Sequence, residues 1–336
     1  MAYPYSTYTT SRAVTYSYIH IPPQIPNTQY ILFLHGFPST SHDWRHQISF
    51  FVAKGYGILA PDLLGFGGTS KPTELEMYRG KAMASDIVEI MNFENIQVVV
   101  GVAHDWGSFL LARLANYHPE RFSAYIFVDH GYSPPGRGLT APAIQHINSS
   151  VQAKLGFAIF GYFLFFDEED APKLLDEHSE SVESLFFTTD NEINKKYKGA
   201  PGGFRSWLTE GRTDDLPTYL TSEDHKHYQD TFSLENGGYG PATNWYRASL
   251  RNINEEDEKS INTEIPASTH TLTHPTLLVA STDYFITVTI NFAEQMRPLV
   301  PDLKVENVSG GHWLQLENPN AVNKVMGEFM KEKGLV

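Results

Sequence analysis

Two short apolar runs come early in the chain, Tyr30-Ile31-Leu32-Phe33-Leu34 and Gly57-Ile58-Leu59-Ala60, and each stops at a loop rich in Gly or Pro. Short continuous runs without alternation predict strands buried on both faces. From Ala82 to Phe93 the period changes, and Met83, Ile87, Ile90 and Met91 fall on one face of a helix. Ile96 to Val102 reads again as a buried strand. Gly107 to Tyr117 is a helix carrying Phe109, Leu110, Leu111 and Leu114 and ended by Pro119, and Ala124 to Val128 is the next strand. This alternation predicts an α/β fold, a mostly parallel central sheet flanked by helices.

The rhythm breaks after Asp129-His130-Gly131-Tyr132-Ser133-Pro134-Pro135, where helical or loop-like sequence runs on without clear strands. Strands resume at Thr276–Ala280 and Leu303–Glu306. A last helix then sets Val322, Val325, Met326, Phe329 and Met330 along a core-facing stripe. The expected organisation is a core in two parts, 1–133 and 272–336, with an inserted helical cap (lid) domain at 134–271. The longest apolar run, Leu155 to Phe166, has 12 residues, interrupted by Gly156 and Gly161. That is too short to span about 30 Å of hydrocarbon, so it predicts a buried helix or the wall of an apolar cavity. The acidic run Glu255–Glu258 predicts an exposed, solvated loop. The segment from Asn252 to His270 is long and is expected to affect access to the site or contacts between subunits.

Charge and cysteine usage narrow the partners. With 25 Lys+Arg against 39 Asp+Glu the net charge is −14, which disfavours nucleic acid and anionic membrane surfaces and, more weakly, acidic substrates. Cysteine is absent, so disulfides, thiolate metal sites and a cysteine nucleophile are excluded, in keeping with a reducing compartment. Met1 to Thr15 is polar and tyrosine-rich, without the basic and apolar blocks of a secretory signal. A soluble, cytoplasmic protein, monomeric or homodimeric, is expected.

The candidate chemistry sits where strands end. The strand closing at Val102 runs into Ala103-His104-Asp105-Trp106-Gly107, and a helix starts at once. A sharp strand-to-helix turn of this kind needs small flanking residues, which Ala103 and Gly107 supply, and it presents its central residue as a nucleophile. That residue is Asp105. A carboxylate there is kept ionised by the helix dipole and suits displacement at a saturated carbon with a leaving group. Taken alone, Asp105 reads equally well as a helix cap. Three further strand ends favour chemistry. His35-Gly36-Phe37-Pro38 offers the Phe37 N–H, which with that of Trp106 can form an oxyanion hole. Val308-Ser309-Gly310-Gly311-His312-Trp313 offers His312 as base, and Ser281-Thr282-Asp283 offers Asp283 as the carboxylate that orients it. His35 and His104 are assigned to packing and turn hydrogen bonds, and the weak metal motif His225-x-His227 to exposed helix surface.

These segments, with Trp44-Arg45-His46-Gln47-Ile48, Pro61-Asp62, Gly65-Phe66-Gly67 and Asn244-Trp245-Tyr246-Arg247, resemble the soluble epoxide hydrolases, α/β-hydrolase-fold enzymes with an Asp nucleophile and a helical cap. The likeness covers most of the chain. It implies hydrolysis of a small-molecule epoxide by water to a vicinal diol, through an ester on Asp105 cleaved by water that His312 and Asp283 activate, without cofactor or metal. It also implies that Tyr246 hydrogen-bonds the epoxide oxygen, aided by Tyr162 of Phe160-Gly161-Tyr162, with Tyr132, Tyr197 and Tyr228 as competitors for the second place. Ala103 departs from the family's usual Gly, a change expected to be tolerated. Two alternatives stand beside this: a haloalkane dehalogenase, which also carries Asp-Trp at the turn, and a non-catalytic ligand-binding protein of the same fold.

Overall fold

The computed structural model describes residues 3–25, 28–136, 138–264 and 271–335. Its strands are β1 (Tyr5–Thr9), β2 (Thr15–Ile21), β3 (Tyr30–Leu34), β4 (Gly57–Pro61), β5 (Val99–His104), β6 (Phe122–Val128), β7 (Thr276–Ser281) and β8 (Leu303–Val308). They form a single eight-stranded sheet in the order β1-β2-β4-β3-β5-β6-β7-β8. β1 and β2 pair antiparallel to each other, β2 pairs antiparallel to β4, and every other pairing is parallel.

The parallel strands are apolar on both faces because both are covered. Ile31 and Phe33 of β3 join Trp44, Ile48, Phe51, Met326 and Phe329 on one side. Leu32 and Leu34 join Met83, Ile87, Leu110 and Leu114 on the other, the two-residue period of a strand deciding which side chain goes where. The helices here are Arg45–Val52, Gly80–Phe93, Trp106–Tyr117 and Pro319–Glu332. β1 and β2 have no counterpart in the apolar pattern, since their tyrosines reach polar partners: Tyr16 Oη donates to Asp86 (3.0 Å) and Tyr18 Oη to Glu94 (2.5 Å).

Between β6 and β7 the described residues are helical or irregular, from the helix Ala141–Leu155 to the helix Glu255–Glu264. The apolar run becomes the end of one helix, a short loop and the buried helix Gly161–Phe166. The acidic run is not a solvated loop. It opens a helix, and Glu258, 5 % exposed, takes Nε and Nη2 of buried Arg113 (2.9 and 2.6 Å) and the backbone N–H of Gly136 (2.6 Å). Apolar neighbours on the same helix face are not needed when a guanidinium from the core supplies the partner. Glu258→Ala would leave Arg113 buried and unpaired. A loss of about 3 kcal/mol in unfolding free energy is expected, read by urea denaturation. Residues 265–270 of the long Asn252–His270 segment lie outside the described residues. Among the described residues no helix is long and apolar enough to cross a membrane.

Candidate active site

β5 delivers Asp105 with a backbone φ of +52°, a conformation that costs energy for any residue with a Cβ and that persists at functional turns. The helix Trp106–Tyr117 follows without an intervening loop. The turn closes only because two neighbours lack side chains. A Cβ on Gly107 would stand 2.2 Å from the Leu34 carbonyl oxygen, and one on Gly36 would stand 2.2 Å from Oδ1 of Asp105. Ala103, by contrast, lies buried within β5 beside Leu34 and Phe127, so its methyl is part of the core.

Around Asp105 the expected partners assemble. The Phe37 N–H donates to Oδ1 at 2.8 Å, and Trp106 is the first residue of the helix. His312 Nε2 lies 3.7 Å from Oδ2, beyond hydrogen-bond range. Burial alone would raise the Asp105 pKa, but the imidazoles of His312, His130 and His104 and the Phe37 N–H hold it below the usual carboxylate value. The group is ionised at neutral pH.

The carboxylate that meets His312 is not Asp283. Nδ1 of His312 is 2.6 Å from Oδ2 of Asp129, the residue directly after β6, whose other oxygen accepts from Thr287 Oγ1 (2.5 Å). Asp283 instead caps the turn after β8, accepting from Ser309 Oγ (2.9 Å), the Gly310 N–H (2.8 Å) and Thr282 Oγ1 (2.8 Å). Its side chain is exposed. The reason is local. The peptide of Asp283 pairs with Gly310 O (3.2 Å), which turns its carboxylate outward, and the next side chain, Tyr284, takes the inner place and stacks on the His312 ring at 4.9 Å. Asp129 is fully buried. Although burial opposes ionisation, His130 and His312 hold its pKa far below the ordinary value. The signal for Asp129 in the sequence was a carboxylate directly past a strand's carboxyl end, closer to its strand than Asp283, which stands two residues past β7.

Two further residues fix the histidine loop. Glu317 accepts from the N–H groups of Gly311 (2.6 Å) and Trp313 (3.0 Å), bracketing His312. His104 Nε2 lies 2.8 Å from the His312 carbonyl oxygen, and burial pushes its pKa down to about 3, so it is a neutral donor. Among the described residues His104, Asp129 and His312 are the one trio of candidate metal ligands within 4.8 Å of one another; His104 Nε2, His312 Nδ1 and both Asp129 oxygens are engaged in these bonds, whereas His312 Nε2 is not. The His225/His227 pair is partly buried rather than surface: His225 Nδ1 is 2.8 Å from Glu183 and His227 Nε2 is 3.1 Å from Thr40.

Tyr162 and Tyr246 come together above the carboxylate, their ring centroids 5.8 Å apart. Tyr246 stands edge-on to Trp106 at 4.9 Å. Burial first raises both phenol pKa values, followed by the charge of Asp105 for Tyr162 and by Tyr162 and then Asp105 for Tyr246, so both keep their protons. Of the competitors, Tyr228 is held by Tyr239 (3.0 Å) and Tyr132 by Asn116 (2.9 Å), while the Tyr197 ring packs on Trp207 (4.9 Å). Asp105, Trp106, Tyr162 and Phe163 line a cavity of ≈ 510 Å³, a size suited to a small organic molecule. A second, smaller cavity of ≈ 210 Å³ contains His312, Tyr284 and Glu317.

The α/β hydrolase fold family matches residues 29–319. The chain belongs to that family. It is 28% identical over 308 residues to bifunctional epoxide hydrolase 2 of Rattus norvegicus, covering 90% of this chain and 51% of that one. It is 27% identical over 318 residues to epoxide hydrolase A of Mycobacterium tuberculosis, covering 91% of each. The chain thus spans about half the length of the rat relative. Among solved structures, epoxide hydrolase A from Mycobacterium thermoresistibile superposes with a TM-score of 0.78 at 26% identity, over 98% of each chain. The resemblance carried by the motifs is therefore shared by sequences and structures along nearly the whole α/β hydrolase chain.

Proposed function

We propose that this α/β hydrolase is an epoxide hydrolase that adds water to a small-molecule epoxide, with residues 134–271 acting as its cap. The observation that carries the reading is an ionised Asp105 beside two protonated phenols, Tyr162, which lines the same cavity, and Tyr246, whose ring meets that of Tyr162. A carboxylate attacks carbon without prior deprotonation, and opening an oxirane needs acid at the oxygen. Oδ2 forms the bond to carbon while Oδ1 stays on the Phe37 N–H. The carbon–oxygen bond of the ring breaks, and the developing alkoxide takes a proton from a phenol. Two such donors lower the barrier by about 3 to 5 kcal/mol.

The resulting ester is cleaved by water. His312 removes a proton from that water, and Asp129 steadies the imidazolium that forms. Phe37 and Trp106 N–H groups hold the oxyanion on Oδ1 until the bond from the Asp105 carboxyl carbon to Oδ2 breaks. The imidazolium then gives its proton to the departing diol oxygen, and the phenolate regains its proton from the Asp105 carboxylic acid so formed, which restores both groups. Burial, against the opposing pull of Asp129, holds the His312 pKa below the ordinary imidazole value, so the base is neutral and ready at pH 7.

A haloalkane dehalogenase would share the nucleophile but has no use for phenols that deliver a proton, since halide leaves unprotonated. Incubation with styrene oxide and, separately, with 1-bromobutane distinguishes the two. Phenylethanediol without bromide release is expected; bromide release without diol contradicts the proposal.

A further inference from the structure

The π-helical segment Asn194–Gly199 carries three lysines. Lys196 is exposed and Lys195 pairs with Glu192 at 2.7 Å, but Lys198 is only 1 % exposed. Its Nζ stands 5.2 Å from the ring centre of Phe186 and 5.3 Å from that of Tyr284. Among the described residues no carboxylate lies within 4.0 Å of it and no acceptor takes a hydrogen bond from it. A buried ammonium with its donors unmatched is costly, and proteins keep one where something else supplies the acceptor. Burial pushes the Lys198 pKa down to about 7, even though Asp105 and Asp129 pull it the other way.

The two rings under Nζ belong to the active site. Tyr284 stacks on His312 at 4.9 Å. Phe186 packs on Phe37 at 5.2 Å and stands 6.2 Å from Tyr162. The ammonium therefore shares its two ring neighbours with the base, with the loop that holds the nucleophile and with a phenol donor, and both rings line the cavity that also holds His312. A counter-ion for Asp105 or Asp129 would approach one of them, and Lys198 approaches neither. We propose that Lys198 is a specificity-determining residue that receives a carboxylate attached to, or one bond from, the oxirane, so that the preferred substrates are short epoxy acids. A carboxylate brought to Nζ would supply the acceptor that the fold omits, and would offset the repulsion that Asp105 exerts on an anionic substrate. The net charge of −14 works against any anion at long range, so the preference arises from contact.

This inference rests on the epoxide hydrolase reading, and the test separates the two. Turnover of 3-phenylglycidate is compared with that of 3-phenylglycidamide, which has the same shape without the charge, with styrene oxide as reference. The wild type is expected to favour the acid over the amide in kcat/KM, and Lys198→Met to reduce that acid-to-amide ratio by about tenfold or more, the scale of one charge-assisted contact. An unchanged ratio in the variant overturns the inference. A wild type that favours the amide also overturns it, whatever becomes of the variant's folding. If styrene oxide is turned over, either failure concerns Lys198 alone. If the wild type hydrates none of the three epoxides, the reading beneath it fails and the inference with it.

Discussion

Asp129→Asn is expected to lower steady-state diol formation by about 10⁴-fold, the scale seen when the carboxylate behind a catalytic imidazole loses its charge. Asp283→Asn should leave it nearly unchanged. The asymmetry follows from position. Asp129 is 2.6 Å from Nδ1 of His312, whereas Asp283 spends its oxygens on Ser309, Gly310 and Thr282. The amide in Asp129→Asn can present its NH₂ to Nδ1, which selects the wrong tautomer and leaves Nε2 protonated and unable to accept from water.

The pH profile gives the same comparison a second reading. His312 acts while neutral, so activity is lost as the pH falls through its pKa. That pKa lies below the ordinary imidazole value because burial outweighs the opposing pull of Asp129. The acid limb of kcat should therefore have its midpoint below about 6.5. Removing the Asp129 charge removes a contribution that raises the pKa, and the limb of the residual activity should move further toward acid. An unshifted limb in Asp129→Asn, or a large loss in Asp283→Asn, would restore the order expected from the sequence.

Asp105→Ala should abolish turnover, with a fall of about 10⁵-fold or more, since no neighbouring group can take over the displacement. The other ionised carboxylate of the site, Asp129, is fully buried behind the histidine ring. Tyr162 and Tyr246 have their pKa values raised, so neither offers a phenolate. Stopped-flow or end-point measurement of diol from styrene oxide reads the loss, and near-native circular dichroism would show that the turn still folds.

Much of this architecture was legible in the chain because burial leaves a periodic trace. Leu32 and Phe33 lie on opposite faces of one strand, both covered, and therefore read as a continuous run; Met83, Ile87, Ile90 and Met91 read as one side of a helix. The turn at Asp105 was legible because its sterics admit only small neighbours. What escaped was structure held by polar partners. β2 buries Tyr16 and Tyr18 by handing their hydroxyls to Asp86 and Glu94, and Glu258 is drawn inside by Arg113. Such pairings join residues far apart in the chain and leave no local pattern. The choice between Asp129 and Asp283 was hidden for a related reason. Both follow a strand's carboxyl end, and only the hydrogen bond from Asp283 N to Gly310 O decides which carboxylate faces His312.

The central claim is that an oxygen of Asp105 becomes esterified by the substrate and is freed by water that His312 activates. His312→Gln separates the two steps by removing the base while leaving the nucleophile, its Phe37 donor and the phenols in place. Intact-mass spectrometry after incubation with styrene oxide should show the variant heavier by one epoxide, with the adduct on the peptide containing Asp105. An unmodified variant, under conditions in which the wild type forms diol, would contradict the account.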